Sequence, residues 1–393
     1  MNTDKSILLT IAALEKEGNF AALATVVRVT GSSYRREGAK MLVLNDGGLI
    51  GAISGGCLEA DVREVGLELI ESGLPRLLRY DNTSDDDTVW GLGLGCNGVV
   101  EVFVERVPYA VNATNDQASG SGLDIYSRIA KVSKNAEPMV VATLIKSEDS
   151  DDIKEGAKVI VHQNGTYEGS LGNETLDSLV KNESLERLKR RSANGSPSKS
   201  APFNRIKDFG NTTAYLDMIL PLPHLYVFGA GPDAVPLVNM AEGLGFFVTL
   251  VDHRADYVKK KEFSMADEFI TAKPSEIGEK LKLDPGSFVV ILTHNFNRDR
   301  DIIGAILNSK PAYIGQLGPK VRTDKILKEL KEDGVNLKNG ALDYLRSPAG
   351  LDIGAETPEE IALSIMSEIM AVRSGSEARP LIRRKGPIHE RNE

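Results

Sequence analysis

Apolar residues recur at helical spacing from Ser6 to Glu17 (SILLTIAALEKE). The pattern then changes to strand alternation, which runs to about Phe103 and is interrupted by one helix from about Leu58 to Ser72. Two of the apolar runs flank Asn45-Asp46-Gly47-Gly48, which predicts a hairpin because Asn, Asp and Gly tolerate the backbone of a tight turn. Val111 to Gly122 is polar and reads as a loop. Strands resume at about Glu137 and lead, after Leu171, into a charged helix ending near Arg190. The stretch around 191–211 is rich in Ser, Asn, Gly and Pro and reads as a mobile insert, followed by one more strand at Ala214–Leu220. Pro221-Leu222-Pro223 marks a domain boundary.

From His224 the pattern is different. Leu225–Phe228 is a short buried-type strand that runs into Gly229-Ala230-Gly231-Pro232-Asp233-Ala234 and an apolar helix to about Leu244. A second strand, Phe246–Val251, ends in Asp252. Further strands are expected at about 268–270, 287–292 and 312–315, separated by helices, and the natural reading is a doubly wound parallel sheet. Thr357-Pro358-Glu359-Glu360 carries the cap, proline and third-position glutamate of a helix start, and Ile361–Met370 supplies that helix's apolar stripe. The fold class is thus α/β. A mixed α+β domain spans 1–222, a Rossmann-like domain 223–374 and a loose tail 375–393.

The first domain repeats itself. With an offset of 118 residues, Ala24-Thr25-Val26-Val27-Arg28 answers Ala142-Thr143-Leu144-Ile145-Lys146, and Glu37-Gly38-Ala39-Lys40 answers Glu155-Gly156-Ala157-Lys158. The duplicated units are 20–53 and 138–171. Strand pattern and turn residues are shared, but loop chemistry is not. Ser33-Tyr34-Arg35-Arg36 becomes Asp151-Asp152-Ile153-Lys154, and Ser54-Gly55-Gly56-Cys57 becomes Gly172-Asn173-Glu174-Thr175. Shared residues are scaffold on this reading, and the unshared loop residues are candidates for function.

Length sets room for two or three domains in 393 residues, and 41% hydrophobic with 26% charged residues is ordinary for a globular chain. A net charge of -9 argues against nucleic acid or an anionic membrane as partner. No run approaches a transmembrane length, and two cysteines, both near glycines, fit a reducing cytoplasm.

The hairpin turned at Asn45–Gly48 brings its outer loops together, so Tyr34, Arg35, Arg36, Ser54, Gly55, Gly56 and Cys57 are expected side by side. Adjacent arginines, glycine N–H groups and a thiol at a helix start make an anion pocket. In the second domain the strand–turn–helix–strand order, with Asp252 placed 23 residues after Gly229, is that of a dinucleotide-binding unit. Arg254 is positioned for a 2′-phosphate or for solvent. His294 lies at a strand's carboxyl end, where ligands bind in open α/β sheets.

GSSYRREGAKMLV, GAISGGCLEADV and GLGLGCNG in the first domain resemble the XdhC/CoxI family, the accessory and molybdenum cofactor insertion factors of xanthine dehydrogenase. So do LYVFGAG, VTLVDHR, LTHNFNRD, YIGQLGPK and SPAGLDIGAETPEEIALSIMSEI in the second. The resemblance implies a chaperone that binds molybdenum cofactor (molybdopterin), protects it while it gains its terminal sulfur, and delivers it to an apo-molybdenum hydroxylase. A cysteine desulfurase is the second implied partner, and a homodimer is a plausible state. Cofactor contacts would come from Ser33, Tyr34, Arg35, Arg36, Gly55, Gly56, Cys57, Glu59 and Cys96, with Cys57 also a soft ligand for the metal. Gly229, Gly231, Asp252, Arg254 and His294 would serve NAD(P) or another nucleotide. Two departures stand out: the family's glycine turn continues with His and small apolar residues, here Pro232-Asp233-Ala234, and its Thr-His-x-His reads Thr293-His294-Asn295-Phe296. The competing reading is an enzyme, an NAD(P)-dependent oxidoreductase using the Rossmann-like domain. Two cysteines cannot build a four-cysteine iron–sulfur cluster, which argues against a hydroxylase subunit proper.

Overall fold

The computed structural model describes residues 3–31, 33–81, 98–108, 138–147, 154–193, 205–209, 211–258, 261–281, 283–335 and 340–385. The chain forms two units that divide at Pro221 and Leu222.

The first unit holds two five-stranded antiparallel sheets. One contains β1 (Ala21–Gly31), β2 (Lys40–Leu44), β3 (Leu49–Gly51), β4 (Arg76–Asp81) and β5 (Gly98–Val107), in the order β3-β2-β1-β5-β4. The other contains β6 (Met139–Ser147), β7 (Lys158–His162), β8 (Tyr167–Ser170), β9 (Arg205–Phe209) and β10 (Thr212–Ile219), in the order β8-β7-β6-β10-β9. The duplication therefore extends to all five strands. Residues 205–209, read from composition as part of the insert, are strand β9. They alternate Arg-Ile-Lys-Asp-Phe and pair antiparallel with β10, which composition alone does not reveal.

The two copies match bond for bond. Val26 N donates to Ala39 O (2.9 Å) and Gly38 N to Val26 O (2.8 Å), while Leu144 N donates to Ala157 O (2.9 Å) and Gly156 N to Leu144 O (2.8 Å). Both first strands shift register at the same place, between Val26 and Arg28 and between Leu144 and Lys146. Each sheet packs one face on its own helix, Glu59–Ser72 or Glu174–Ala193. The other faces meet over Leu23, Leu42, Val141 and Ile160, capped by Ile7 and Ile11 of the helix Thr3–Glu17, and over Val27, Phe103, Ile145 and Tyr215.

Two ion pairs cross between the sheets in reciprocal fashion. Lys40 Nζ lies 2.8 Å from Asp217 Oδ2, and Lys158 Nζ lies 2.7 Å from Glu105 Oε2. Lys40 and Lys158 are equivalent. Glu105 and Asp217 are too, since they pair opposite the equivalent residues Leu23 and Val141. The domain is thus a pseudo-two-fold sandwich, helix–sheet–sheet–helix.

The second unit is a six-stranded parallel sheet, β11 (His224–Phe228), β12 (Phe247–Asp252), β13 (Glu268–Thr271), β14 (Phe288–Ile291), β15 (Tyr313–Gln316) and β16 (Leu345–Arg346). Its order is β13-β12-β11-β14-β15-β16, with helices on both faces. Runs such as Leu-Tyr-Val-Phe and Phe-Val-Val-Ile are continuously apolar because both faces of these strands are buried. The order reverses between β11 and β14, and that switch point is where such sheets take ligands. Gly229, with φ 110°, lets the turn after β11 pass Leu292. A Cβ there would meet Leu292 O at 2.6 Å. The helix Pro358–Ser374 has the capping box of Thr357 and Glu360 that its sequence indicates.

Candidate functional site

The loops on either side of the first hairpin do converge. β1 ends at Gly31, which pairs with Gly98 at the start of β5. The next loop is folded back by Glu37, whose Oε1 accepts from Val29 N at 3.0 Å. It presents Tyr34 74% exposed, Arg36 exposed and Arg35 half-buried. Among the described residues neither guanidinium has a hydrogen-bond or ion-pair partner. After β3 the chain enters the Ser54–Leu58 loop, and Tyr34 lies along it. A Cβ on Gly55 would be 3.6 Å from Tyr34 Cγ.

Ser54 and Glu59 hold this second loop. Ser54 Oγ accepts from the N–H groups of Gly56, Cys57 and Leu58, each at 3.1 Å, and donates to Glu59. Glu59 Oε1 accepts from Ile53 N (3.2 Å) and Ser54 N (2.8 Å), and Oε2 from Leu58 N (3.2 Å). Burial alone would raise the Glu59 pKa, but these hydrogen bonds outweigh it and hold the carboxyl below its ordinary value. The Gly56 N–H is thereby used internally, which leaves the Gly55 N–H as the backbone donor not engaged among the described residues. Cys57 is half-buried against the core under the sheet.

The second copy separates scaffold from site. Asp177 is the equivalent of Glu59, and its carboxylate likewise accepts from Leu171 N (2.7 Å) and from Ser170 Oγ (2.6 Å). The carboxylate clip is therefore common to both copies. What differs is the helix start. In the second copy the helix begins at Glu174, the equivalent of Gly56, so the counterpart of Cys57, Thr175, lies within it. In the first copy Gly56 adopts φ 114° and the helix begins only at Glu59, which leaves Cys57 in a loop. A Cβ on Gly56 would meet nothing within 4 Å, so the space over this loop is open. Cys96 lies outside the described residues.

In the second unit, Asp252 sits where the sequence places it, but its oxygens are taken. Oδ2 accepts from Ala230 N (2.8 Å) and Arg254 Nη2 (2.9 Å). Oδ1 accepts from Arg254 N and Nε (both 2.9 Å) and lies 2.8 Å from His253 Nδ1. Burial opposes ionisation, yet Arg254 and the Ala230 N–H hold this carboxyl far below the ordinary range. Arg254 also stacks 3.7 Å over the Tyr257 ring. His294, at φ 54°, places Nε2 2.6 Å from Asp233 Oδ2. Gly231 lies under the same carboxylate, since a Cβ there would be 2.8 Å from Asp233 Oδ1.

Sequence reading missed the Ser54–Glu59 clip, the Asp233–His294 contact and a buried network of Thr293, Asp299, Gln316 and Arg322. The clip was open to discovery through the alignment of Glu59 with Asp177. The other two join segments far apart in sequence and leave no local signal. Among the described residues no group of three or more His, Cys, Asp and Glu side chains is placed to hold a metal ion, and no helix is long and apolar enough to cross a membrane.

Residues 14–81 and 133–194 match the model of the XdhC and CoxI family, and each segment contains one copy of the β unit. Residues 225–369 match the XdhC Rossmann domain. The chain is 33% identical to a Bacillus subtilis protein named as a probable xanthine dehydrogenase subunit, over 92% of this chain and 96% of that one. It is 23% identical to the molybdenum cofactor insertion chaperone PaoD of Escherichia coli, over 91% of this chain and 84% of that one. A solved structure of a Bacillus halodurans protein named as a xanthine dehydrogenase superposes with a TM-score of 0.71 at 30% identity, covering 97% of this chain and 99% of that one.

Proposed function

The chain belongs to the XdhC and CoxI family, and from that premise we propose that it is a maturation factor that binds molybdenum cofactor and delivers it to a hydroxylase of the xanthine dehydrogenase type. The observation that carries this reading is the contrast between the two copies. One copy keeps a pair of arginines, unpartnered among the described residues, beside an open cysteine loop. The other, on the same scaffold, has neither.

The residues fit the group. Molybdopterin is a phosphate ester, and Arg35 and Arg36 supply charge-assisted donors for a phosphate without breaking any ion pair among the described residues. The Gly55 N–H adds a neutral donor, Tyr34 a wall, and Ser33 begins the same loop. Glu59 acts by holding the loop through Ser54. The cofactor brings its own dithiolene sulfurs to the metal, so Cys57 need supply only one soft contact. Cys96 stands two positions before Gly98, the first residue of β5, in the sequence. In this reading a cysteine desulfurase provides the terminal sulfur in the cytoplasm, an apo-hydroxylase receives the product, and the chain works with these partners as a homodimer.

The test is retention of cofactor by the purified chain after desalting, read as fluorescence of the oxidised pterin. Retention is expected for the natural chain and loss for Cys57→Ala and Arg35→Ala. Equal retention by both variants contradicts the assigned site. The NAD-dependent form of the oxidoreductase reading is weakened by the occupied carboxylate of Asp252, which the free ribose diol of NAD would need.

A further inference from the structure

We infer that two copies of this chain pair through the helix Pro358–Ser374, antiparallel about a two-fold axis, and that the basic segment after the helix lies over the acidic turn before it on the other copy. The inference deepens the homodimer element of the preceding reading by naming its surface. That surface lies wholly in the second unit, so its test is independent of cofactor retention, which rests on Arg35 and Cys57. Ala362, Ile365, Met366 and Ile369 bury one side of the helix in the core of its unit. On the other side Leu363, Ser367, Met370 and Ser374 follow at three- and four-residue spacing and share one face. Leu363 keeps 49% of its surface exposed. A solvated helix face carries charged residues, yet beyond Glu359 and Glu360 this face has none.

The two ends of this face carry opposite charges that are unspent. Before and at the helix start, Asp352, Glu356 and Glu359 are exposed carboxylates with no ion-pair partner among the described residues. Glu360 differs, because its carboxylate accepts from the N–H groups of Glu356 and Thr357. In the last turn, Arg373 lies half-buried 5.5 Å over the Phe246 ring, and its guanidinium has no hydrogen-bond or ion-pair partner among the described residues. Burial without a counter-ion pulls its pKa down. Every residue from Ser374 to Lys385 is exposed, and this stretch holds Leu381 and Ile382, the latter 93% exposed. Arg383 and Lys385 follow, again with no ion-pair partner among the described residues. Exposed aliphatic side chains flanked by unpaired cations mark a contact surface for an acidic partner.

A second copy of the chain is the partner that both ends fit at once. In a two-fold pairing the same patch meets itself, so each charge must find its opposite on that patch. Glu359 and Arg373 lie equally far on either side of Met366, and Leu363 and Met370 equally far on either side of the point between Met366 and Ser367. A two-fold axis there sets Leu363 against Met370 of the second copy and Glu359 beside Arg373 of the second copy, each twice. A parallel pairing would instead bring like charges together. Continued past the helix end, the antiparallel register carries Leu381, Ile382, Arg383 and Lys385 toward Asp352, Ile353 and Glu356 of the second copy. Ile353 is itself exposed among those carboxylates. An anionic membrane surface, the other partner a basic aliphatic segment could take, is repelled by the same three carboxylates.

The test is sedimentation equilibrium of the full chain. The natural chain should be a dimer at micromolar concentration. Leu363→Glu and Glu359→Arg replace exposed side chains, so both are expected to fold like the natural chain, as read by circular dichroism. Each should raise the dimer dissociation constant roughly tenfold or more. Arg373→Glu should do the same. Mixed in equal amounts, the Glu359→Arg and Arg373→Glu chains should form a dimer that neither forms alone, because each charge then meets its opposite. Leu381→Asp with Ile382→Asp should also weaken the natural dimer. A natural chain that is monomeric at micromolar concentration overturns the inference. So does a dimer indifferent to Leu363→Glu, or charge variants that stay monomeric when mixed. A dimer indifferent to the Leu381→Asp/Ile382→Asp change overturns the part assigned to the basic segment.

Discussion

Arg35 and Arg36 have no partner to lose among the described residues, so their removal should cost the fold almost nothing. Arg35→Ala and Arg36→Ala are expected to melt with the natural chain, within about 0.5 kcal/mol. Cofactor binding should fall by roughly tenfold to a hundredfold for each, the worth of about 1.5–3 kcal/mol for a charge-assisted hydrogen bond. Glu59 should behave in the opposite way. Glu59→Ala orphans several buried N–H groups and is expected to cost about 1–3 kcal/mol, along with cofactor retention. Asp177→Ala should cost a similar amount of stability and leave retention intact, because its loop carries no site. The pH dependence follows from the depressed folded-state values of Glu59 and Asp252. Each carboxylate contributes stability that is fully present above its ordinary value, 4.5 for Glu59 and 3.8 for Asp252, and is lost as pH falls through the depressed one. Glu59→Gln and Asp252→Asn should therefore flatten the acid limb of the stability curve. An acid limb unchanged in both variants would contradict this.

At the scale of elements, the duplicated β unit was legible because strand period and turn glycines repeat at a fixed offset. The Rossmann-like order was legible for a similar reason: short apolar strands, a glycine turn and an acidic strand end leave local marks. Strand β9 was not, since five residues of mixed character become a strand only by pairing with β10. Nor were the crossing ion pairs, whose members lie far apart in sequence and meet only when the sheets pack. In the site, the two loops could be placed together from the hairpin, but the helix delayed by Gly56 and the self-engaged Asp252 depend on geometry. The buried Lys158–Glu105 pair makes a sharp prediction. Lys158→Met alone leaves a buried carboxylate uncompensated and should cost about 3–5 kcal/mol. Lys158→Met with Glu105→Leu should recover most of it, as read by calorimetry of the chain. A single variant as stable as the natural chain would contradict the pairing. Replacing Ser54–Cys57 with Gly-Asn-Glu-Thr from the second copy should keep the fold and abolish cofactor retention.

For the whole molecule, the proposed function would rest one cofactor site on the differentiated loop set of the duplicated first unit. The bonds at the base of the Arg35–Arg36 loop, from Val26 N to Ala39 O and from Gly38 N to Val26 O, are the ones the other half repeats. The Rossmann-like unit adds a separate crevice with its own cationic lining. Delivery is the property that distinguishes a maturation factor from a protein that merely stores a pterin. The most direct measurement loads the purified chain with molybdenum cofactor, removes the excess, and follows the activity gained by an apo-hydroxylase of the xanthine dehydrogenase type. The loaded natural chain should activate the apo-hydroxylase, and the Arg35→Ala/Cys57→Ala chain carried through the same steps should not. Equal activation by both chains, or none by the natural chain once loaded, would contradict the proposed function.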